Sequence, residues 1–375
     1  MTSNSHIHLP PNFSAFDSVE QAVRLAAEQG IRALGASNYY DYSVYAEFAE
    51  RAERAGIFPL FGMEIVARDE RLAADGVKLN DPGNPGKVYV CGKGIAPAAA
   101  FEPEPARVLN GIREGDARRI SAMVSRMESV FTTAGFPTGL TDGAIVDGVV
   151  TRHGCPRDTV TLQERHVAQA FQEALFASTE PGARAGALHA ILGAEPKAPD
   201  DAAAVQNDIR THLMKAGRPA FVEERFVSFE EARALVLAMR GIPCYPVLAD
   251  GASPICPFEA PVEGLTERLH RWDIGAVEFI PVRNRRLVLE EYVPALRDAG
   301  FIVTGGTEHN TREMIPLRPA CIGREPLPDP IRGIFEEGAC VLAAHQRAVL
   351  AGEPGFNADP DITRWALLGR EILGL

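Results

Sequence analysis

Two histidines one residue apart, His6-Ile-His8, are the first feature of the chain that could do chemistry. On a strand this spacing points both imidazoles to the same side, where both can reach one cation. Carboxylates on later apolar runs, Glu64 and Glu308, would complete a donor set of neutral imidazole and carboxylate suited to a divalent metal. Further polar residues stand where other apolar runs stop: Asn38 and Tyr39, Lys93, Arg283 and Asn284, and then His309 and Asn310 beside Glu308, while Tyr245 interrupts a run. A parallel α/β unit carries its active site at the carboxyl ends of its strands, so these residues are expected to converge on one face. His153, His189, His212, His270 and His345 have no spaced partners and read as surface or structural histidines. Arg165 and His166 open a helix in the middle of the chain and are candidates to face the same site. Gly-x-Ser-x-Gly elbows, Walker-type phosphate loops and dinucleotide fingerprints are absent from the sequence.

The elements that must position these residues follow from periodicity and caps. Short apolar runs at Ile31–Ser37, Ile57–Val66 and Val88–Cys91 read as buried strands. A capping box at Asp17-Ser-Val-Glu20 opens a helix that Gly30 ends, and the stretch from Val44 to Ala55 makes another, ended by Gly56. The same rhythm returns after Ser228-Phe-Glu-Glu231, with strands at Ile242–Ala249, Ala276–Val282 and Phe301–Thr307 and helices between them. This alternation argues for a parallel sheet, closed as a barrel or doubly wound. Residues 96–237 differ, being rich in alanine, arginine and glutamate with hardly any strand signal, and read as an all-helical insertion. Helices at Ile331–Gln346 and Asp361–Leu373 close the chain. The expected organisation is therefore one interrupted domain, residues 1–95 and 238–375, around an insertion at 96–237.

Composition narrows the role. The 375 residues carry 38 basic and 50 acidic side chains, a net charge of −12, which disfavours nucleic acid or a membrane surface as the main partner. Apolar residues make up 46%, yet no uncharged run approaches the ~20 residues of a membrane span. The N-terminus lacks the basic and apolar regions of a secretory signal. Six scattered cysteines without a Cys-x-x-Cys pair read as reduced thiols, and a cytoplasmic location is expected.

His6-Ile-His8, Gly62-Met-Glu64, the stretch RGIPCYPVLAD at 240–250 and VTGGTEHN at 303–310 stand in the order of the motifs of the polymerase and histidinol phosphatase (PHP) family, which the sequence resembles over about residues 4–95 and 225–312. The resemblance implies a distorted TIM-like (β/α)7 barrel with metal at the carboxyl ends of its strands. It also implies phosphate-ester hydrolysis, the activity of many members. The segment VTLQERHVAQAF, which holds Arg165 and His166, resembles part of the helical insertion in the family's small nucleotide-phosphoesterase branch. Where the family has Asp-His, Ala-His-Pro and Gly-Ser-Asp-x-His, this chain has Asn38-Tyr39, Cys244-Tyr245-Pro246 and Gly306-Thr-Glu308-His309-Asn310. Tyr89 replaces a further family histidine. Carried over by position, His6, His8, Glu64 and Glu308 keep the ligand types of the family's first metal. Tyr89 and Tyr245 remove histidines of the second, and Tyr39 and Asn310 remove ligands of the third.

The expectation is one divalent ion, Zn²⁺ or Mn²⁺, with His309 as an open question in the ligand set. Tyr39, Tyr89 or Tyr245 would serve in acid–base chemistry, and Lys93 or Arg283 would hold a small anionic substrate. A metal-dependent hydrolase is the leading reading. A lyase or isomerase acting on a sugar acid or keto acid is the second, and a non-catalytic ligand-binding protein is the third. The insertion would act as a lid selecting small substrates, and self-association is left open.

Overall fold

In the computed structural model, residues 2–12, 14–97, 102–310 and 314–375 are described. The first half runs β1 (Ser3–Ile7), α1 (Val19–Glu28), β2 (Ala33–Ala36), α2 (Tyr45–Arg54), β3 (Phe58–Arg68), α3 (Glu70–Ala74) and β4 (Lys87–Lys93). A run of α-helices follows: α4 (Pro103–Thr133), α5 (Asp142–His153), α6 (Glu164–Ser178), α7 (Pro181–Leu192) and α8 (Ala202–Ile209). The chain then continues through β5 (Val227–Ser228), α9 (Phe229–Ala238), β6 (Ile242–Val247), α10 (Val262–Arg271), β7 (Ala276–Phe279), α11 (Arg286–Asp298), β8 (Ile302–Gly305), α12 (Asp329–Leu350) and α13 (Ile362–Ile372). Ser228 and Glu231 form the expected capping box of α9. The cap of α1 falls one residue later than expected, on Ser18, whose hydroxyl accepts from Gln21 N, while Asp17 N donates to the Gln21 side chain.

Seven strands form the barrel in the order β1-β2-β3-β4-β6-β7-β8. Beyond β8 the chain closes it against β1: His8 N donates to Glu308 O (2.8 Å) and Thr307 N to His6 O (3.1 Å). The fold is thus the distorted TIM-like α/β barrel that the sequence led us to expect. One strand departs from the expected parallel sheet. β4 runs antiparallel to both β3 and β6, with Gly62 opposite Lys93, Val66 opposite Tyr89 and Cys91 opposite Cys244. Its beginning therefore lies level with the carboxyl ends of the other strands, and its end lies at their amino ends.

That reversal fixes which residues can reach the mouth. The amino ends of the parallel strands, marked by Ala33, Leu60, Ile242, Ala276 and Ile302, pack on the alanine-rich face of α12 and on Trp365 of α13, which stop that end of the barrel. The opposite end is left for chemistry. By its internal contacts the chain divides into two compact units, Met1–Pro10 with Ser14–Leu109 and Phe226–Leu375, and Pro11–Phe13 with Asn110–Arg225. The second unit is helical around a core that includes Met123, Met127, Phe131, Phe171, Leu188 and Ile209. Asn12 is part of it, accepting from Thr161 N (2.8 Å) and donating to Thr159 O (3.1 Å). No helix among the described residues is long and apolar enough to cross a membrane. All six cysteines are free thiols.

His345, on α12, has both ring nitrogens engaged: Nε2 donates to Arg240 O (2.9 Å) and Nδ1 accepts from Phe356 N (3.0 Å). Burial, helped by the charge of Arg240, pushes its pKa down to about 4. The unfolded chain, with an ordinary histidine near ~6.5, binds the extra proton, so this contribution to stability is complete above pH ~6.5 and is lost as pH falls towards 4. Thermal melts should show His345→Gln less stable than the parent at pH 7, with a smaller further loss on acidification to pH 4.5. Parallel pH profiles for the two proteins would contradict this.

Candidate metal centre

β1 is short and interior, and its alternation brings His6 and His8 to the same side. Glu64 reaches them from β3, held by its backbone pairing with the chain beyond β2: Glu64 N donates to Asn38 O (3.1 Å) and Tyr40 N to Glu64 O (3.3 Å). His6 Nε2 and His8 Nε2 are 3.3 Å apart, and Glu64 Oε2 lies 3.3 Å from His8 Nε2 and 3.9 Å from His6 Nε2. All three residues are buried. Glu64 Oε2 makes no hydrogen bond of normal geometry although it is buried. Burial alone would raise the Glu64 pKa, but the contact with His8 and the two facing imidazoles hold it below the usual carboxylate value.

A second carboxylate orients the first histidine. Glu278 Oε1 accepts from His6 Nδ1 at 2.7 Å, which leaves the His6 Nε2 lone pair directed at Glu64 and His8. Its other oxygen meets Lys93 Nζ at 2.5 Å, and Lys93 also donates to Ser5 O (3.1 Å) and Ser37 Oγ (3.3 Å). Burial opposes charge on both partners. The Lys93 ammonium and the His6 ring nevertheless keep the Glu278 pKa at about 2, and Glu278 holds Lys93 above its ordinary value. A carboxylate behind a ligating histidine fixes tautomer and orientation, the arrangement that metal sites use to strengthen an imidazole ligand. The donor set His6, His8 and Glu64 therefore fits a divalent ion. The alternative group His6, Cys91 and Glu278 fits poorly, because Glu278 is saturated by Lys93 and His6, and burial keeps Cys91 protonated.

Beside these three residues lies a cavity of about 150 Å³, lined by Tyr39, Glu64, Tyr89, Arg283, Asn284 and Glu308 among others. Tyr39 stacks on His8, ring centroids 5.1 Å apart. Burial, and then the negative charge of Glu64, raises its pKa well above that of a free tyrosine, so it stays a proton donor at neutral pH. Arg283 and Glu308 form a two-pronged ion pair (Nη1 to Oε1 2.7 Å, Nη2 to Oε2), and Asn310 Nδ2 donates to the same carboxylate at 2.5 Å. Glu308 and His309 both hold left-handed backbone, φ 59° and 52°, which bends the chain back at the mouth.

The structure gathers His6, His8, Glu64, Tyr39, Tyr89, Arg283, Asn284, Glu308 and Asn310, and within the same compact unit it places Lys93, Tyr245, Asn38 and His309 away from the cavity. Lys93 was expected at the mouth because it ends a strand, but that strand is antiparallel and Lys93 lies beneath His6. Tyr245 faces away from the cavity, its hydroxyl on Glu259 Oε1 (2.9 Å) and its ring beside Phe258 and Trp272. Alternation gives the inward positions to Cys244, beside Glu278 and Lys93, and to Pro246. The Asn38 amide clamps the Leu9 backbone (2.7 and 3.1 Å) rather than lining the cavity. His309 stacks on Phe16, with Nδ1 on Thr307 Oγ1 (2.7 Å) and Nε2 on Ile315 O (3.0 Å), so both nitrogens are engaged away from the ligand group. Glu308, expected as a fourth ligand, has its carboxylate on Arg283 in this structure. Arg165 and His166 stand in the first turn of α6 in the second unit, where His166 Nδ1 accepts from Gln163 N (3.0 Å) as part of a cap.

Three residues escaped the sequence reading. Glu278 had a signal, a lone acid inside the apolar run Ala276–Val282. Asn80 bridges Tyr89 and Pro246 (Nδ2 to Tyr89 O 3.0 Å and to Pro246 O 2.9 Å), and Glu259 anchors the turn after β6; neither had one. Gly306 sits against His6: a Cβ there would lie 2.4 Å from His6 Cβ and 3.0 Å from His6 N. Gly306→Ala must displace His6, so affinity for an added divalent ion, measured by calorimetry, is expected to fall on the order of 10–100-fold, the range seen when groups that orient ligands are lost. An unchanged affinity would mean that His6 is not a ligand.

Solved structures share this fold. A candidate metal-dependent phosphoesterase from Bifidobacterium adolescentis matches with a TM-score of 0.58 at 16% identity, over 88% of this chain and 94% of that one. An amidohydrolase from Chromobacterium violaceum, solved with bound sulfate and no metal, matches with a TM-score of 0.56 at 18% identity, over 88% and 93%. No protein-family model and no curated protein matches the sequence. The class defined by these likenesses is one of fold, the TIM-like α/β barrel.

Proposed function

We propose that this chain is a metal-dependent hydrolase of the polymerase and histidinol phosphatase type, acting on a small anionic substrate through one divalent ion. His6, His8 and Glu64 would hold the ion, Zn²⁺ or Mn²⁺. The observation that carries the reading is the buried Glu64 Oε2, without a hydrogen bond, facing the Nε2 atoms of two histidines. A buried carboxylate oxygen that lacks a hydrogen bond of normal geometry is costly in a folded protein, and a cation between these three atoms would pair with it directly. When bound, the ion supplies a Lewis acid for the scissile group and acidifies water near neutral pH.

The chain's own residues supply the rest. Arg283 offers a planar fork to a carboxylate or phosphate oxygen pair. Tyr39, held protonated beside His8, donates to oxygen on the leaving or attacked group. The ~300–1,000 Å³ of a common ligand site exceeds this cavity, which fits a small substrate rather than a polymer. The neighbours' names, a candidate metal-dependent phosphoesterase and an amidohydrolase, support hydrolysis.

The phenols of Tyr39 and Tyr89, 6.5 Å apart by ring centroids, favour a second reading. Here a lyase or isomerase moves a proton next to a chelated hydroxy-carbonyl group. The test is a panel of phosphate and carboxylic esters set against aldonic and keto acids, each with and without Mn²⁺ or Zn²⁺. Metal-stimulated hydrolysis of phosphate esters, absent in His8→Ala, is the expected outcome. Turnover confined to the sugar or keto acids would replace the first reading by the second. Thermal stabilisation by a panel member without any turnover would point to a binding protein.

A further inference from the structure

The Arg283–Glu308 pair is an odd partner for the site described above. Glu308 comes from the strand register that supplies the metal ligands: its N–H donates to His6 O (2.9 Å) and its carbonyl accepts from His8 N (2.8 Å). Its side chain thus starts one strand away, ~5 Å, from the histidine pair. Its carboxylate nevertheless occupies the fork of Arg283, the cation best placed in the cavity to receive a substrate anion. Glu308 is 13% exposed and Arg283 41%, so the pair stands at the mouth. Beneath it Glu64 Oε2 remains without a hydrogen bond, and the ligand group stops at three residues.

We propose that Glu308 is an internal stand-in for the substrate's oxyanion, and that the Arg283–Glu308 pair is an exchangeable latch coupling anion binding to metal binding. The inference rests on the reading of His6, His8 and Glu64 as a metal centre. An incoming carboxylate or phosphate takes the two-pronged place on Arg283, and the released Glu308 turns to the metal as its fourth protein ligand. Either ligand alone must break the ion pair, whereas the second to arrive finds it already broken. Each therefore tightens the other, and linkage requires the two factors to be equal. The small size of the cavity has the same origin, because the latch fills the space that a substrate's anionic group would take.

Sulfate is the anion probe and Mn²⁺ the metal, both measured by titration calorimetry against potassium chloride at matched ionic strength. In the parent protein, saturating sulfate should tighten Mn²⁺ by about fivefold or more, and Mn²⁺ should tighten sulfate by the same factor. Glu308→Gln should bind sulfate more tightly than the parent with no metal present, bind Mn²⁺ more weakly, and lose the coupling. Arg283→Met should bind Mn²⁺ at least as tightly as the parent and show no response to sulfate.

Equal Mn²⁺ affinity with and without sulfate in the parent would overturn the latch. So would a sulfate effect that survives in Arg283→Met, since it would come from sulfate on the metal. Metal-free sulfate affinity in Glu308→Gln no greater than in the parent would do the same. That arm needs no metal, so it decides the latch even if Mn²⁺ fails to bind, a failure that would count against the metal centre instead. Thermal melts confirm folding of each variant, and if one does not fold, the other and the parent's own linkage decide.

Discussion

Lys93→Met is expected to destabilise the barrel by about 3–5 kcal/mol, the range for breaking a buried ion pair by removing one partner. Lys93 and Glu278 are almost wholly buried, and their ammonium and carboxylate meet at 2.5 Å. Without Lys93 the Glu278 carboxylate keeps only His6 and a distant Ser5 hydroxyl (3.5 Å) in a region with little access to water. Its protonation would relieve the charge but also weaken its hold on the His6 Nδ1 proton. The double variant Lys93→Met/Glu278→Leu removes both charges and should recover much of the stability, because well-packed apolar replacements of a buried pair are often neutral or better. It should not recover metal affinity, since His6 then has no carboxylate to orient it. Urea denaturation of the parent, single and double variants reads the first effect, and metal titration reads the second. A loss under 1 kcal/mol in the single variant would show that Lys93 and Glu278 are solvated rather than locked beneath His6.

The second large effect concerns the ligands themselves. His6→Ala and His8→Ala should each weaken metal binding by more than the ~10–100-fold that follows loss of an outer partner, because each removes one of three donor atoms that lie within 4.8 Å of one another. Turnover of any ester found in the substrate panel should fall in parallel. Glu64→Gln should behave alike in metal binding, because it removes the anionic donor of the group. Retention of parental metal affinity in all three variants would move the metal elsewhere.

Much of the barrel was legible because strand and helix periods differ, and because capping residues such as Ser228 and Glu231 mark where one gives way to the other. The direction of β4 was not legible. Alternation of apolar residues is the same for a strand read either way, and only hydrogen-bond pairing tells parallel from antiparallel. That one ambiguity misplaced Lys93. Tyr245 was misplaced for a different reason: motif alignment put it where a histidine is expected, whereas the period of two in β6 turns it outward to Glu259. His6, His8 and Glu64 could be found because imidazole pairs and carboxylates on buried strands are rare without a partner. Glu278 belonged to the same logic and was readable as the single acid of an apolar run. The Arg283–Glu308 pair was not, because two residues 25 positions apart on separate loops meet only once the barrel closes.

The number of metal ions that the protein holds distinguishes a single metal centre from a cluster most directly. Protein purified without chelator and dialysed against Mn²⁺ or Zn²⁺ should retain about one equivalent per chain by elemental analysis, and His6→Ala prepared in the same way should retain almost none. Two or three tightly held equivalents in the parent, or one equivalent that persists in His6→Ala, would contradict a single metal centre built on His6, His8 and Glu64.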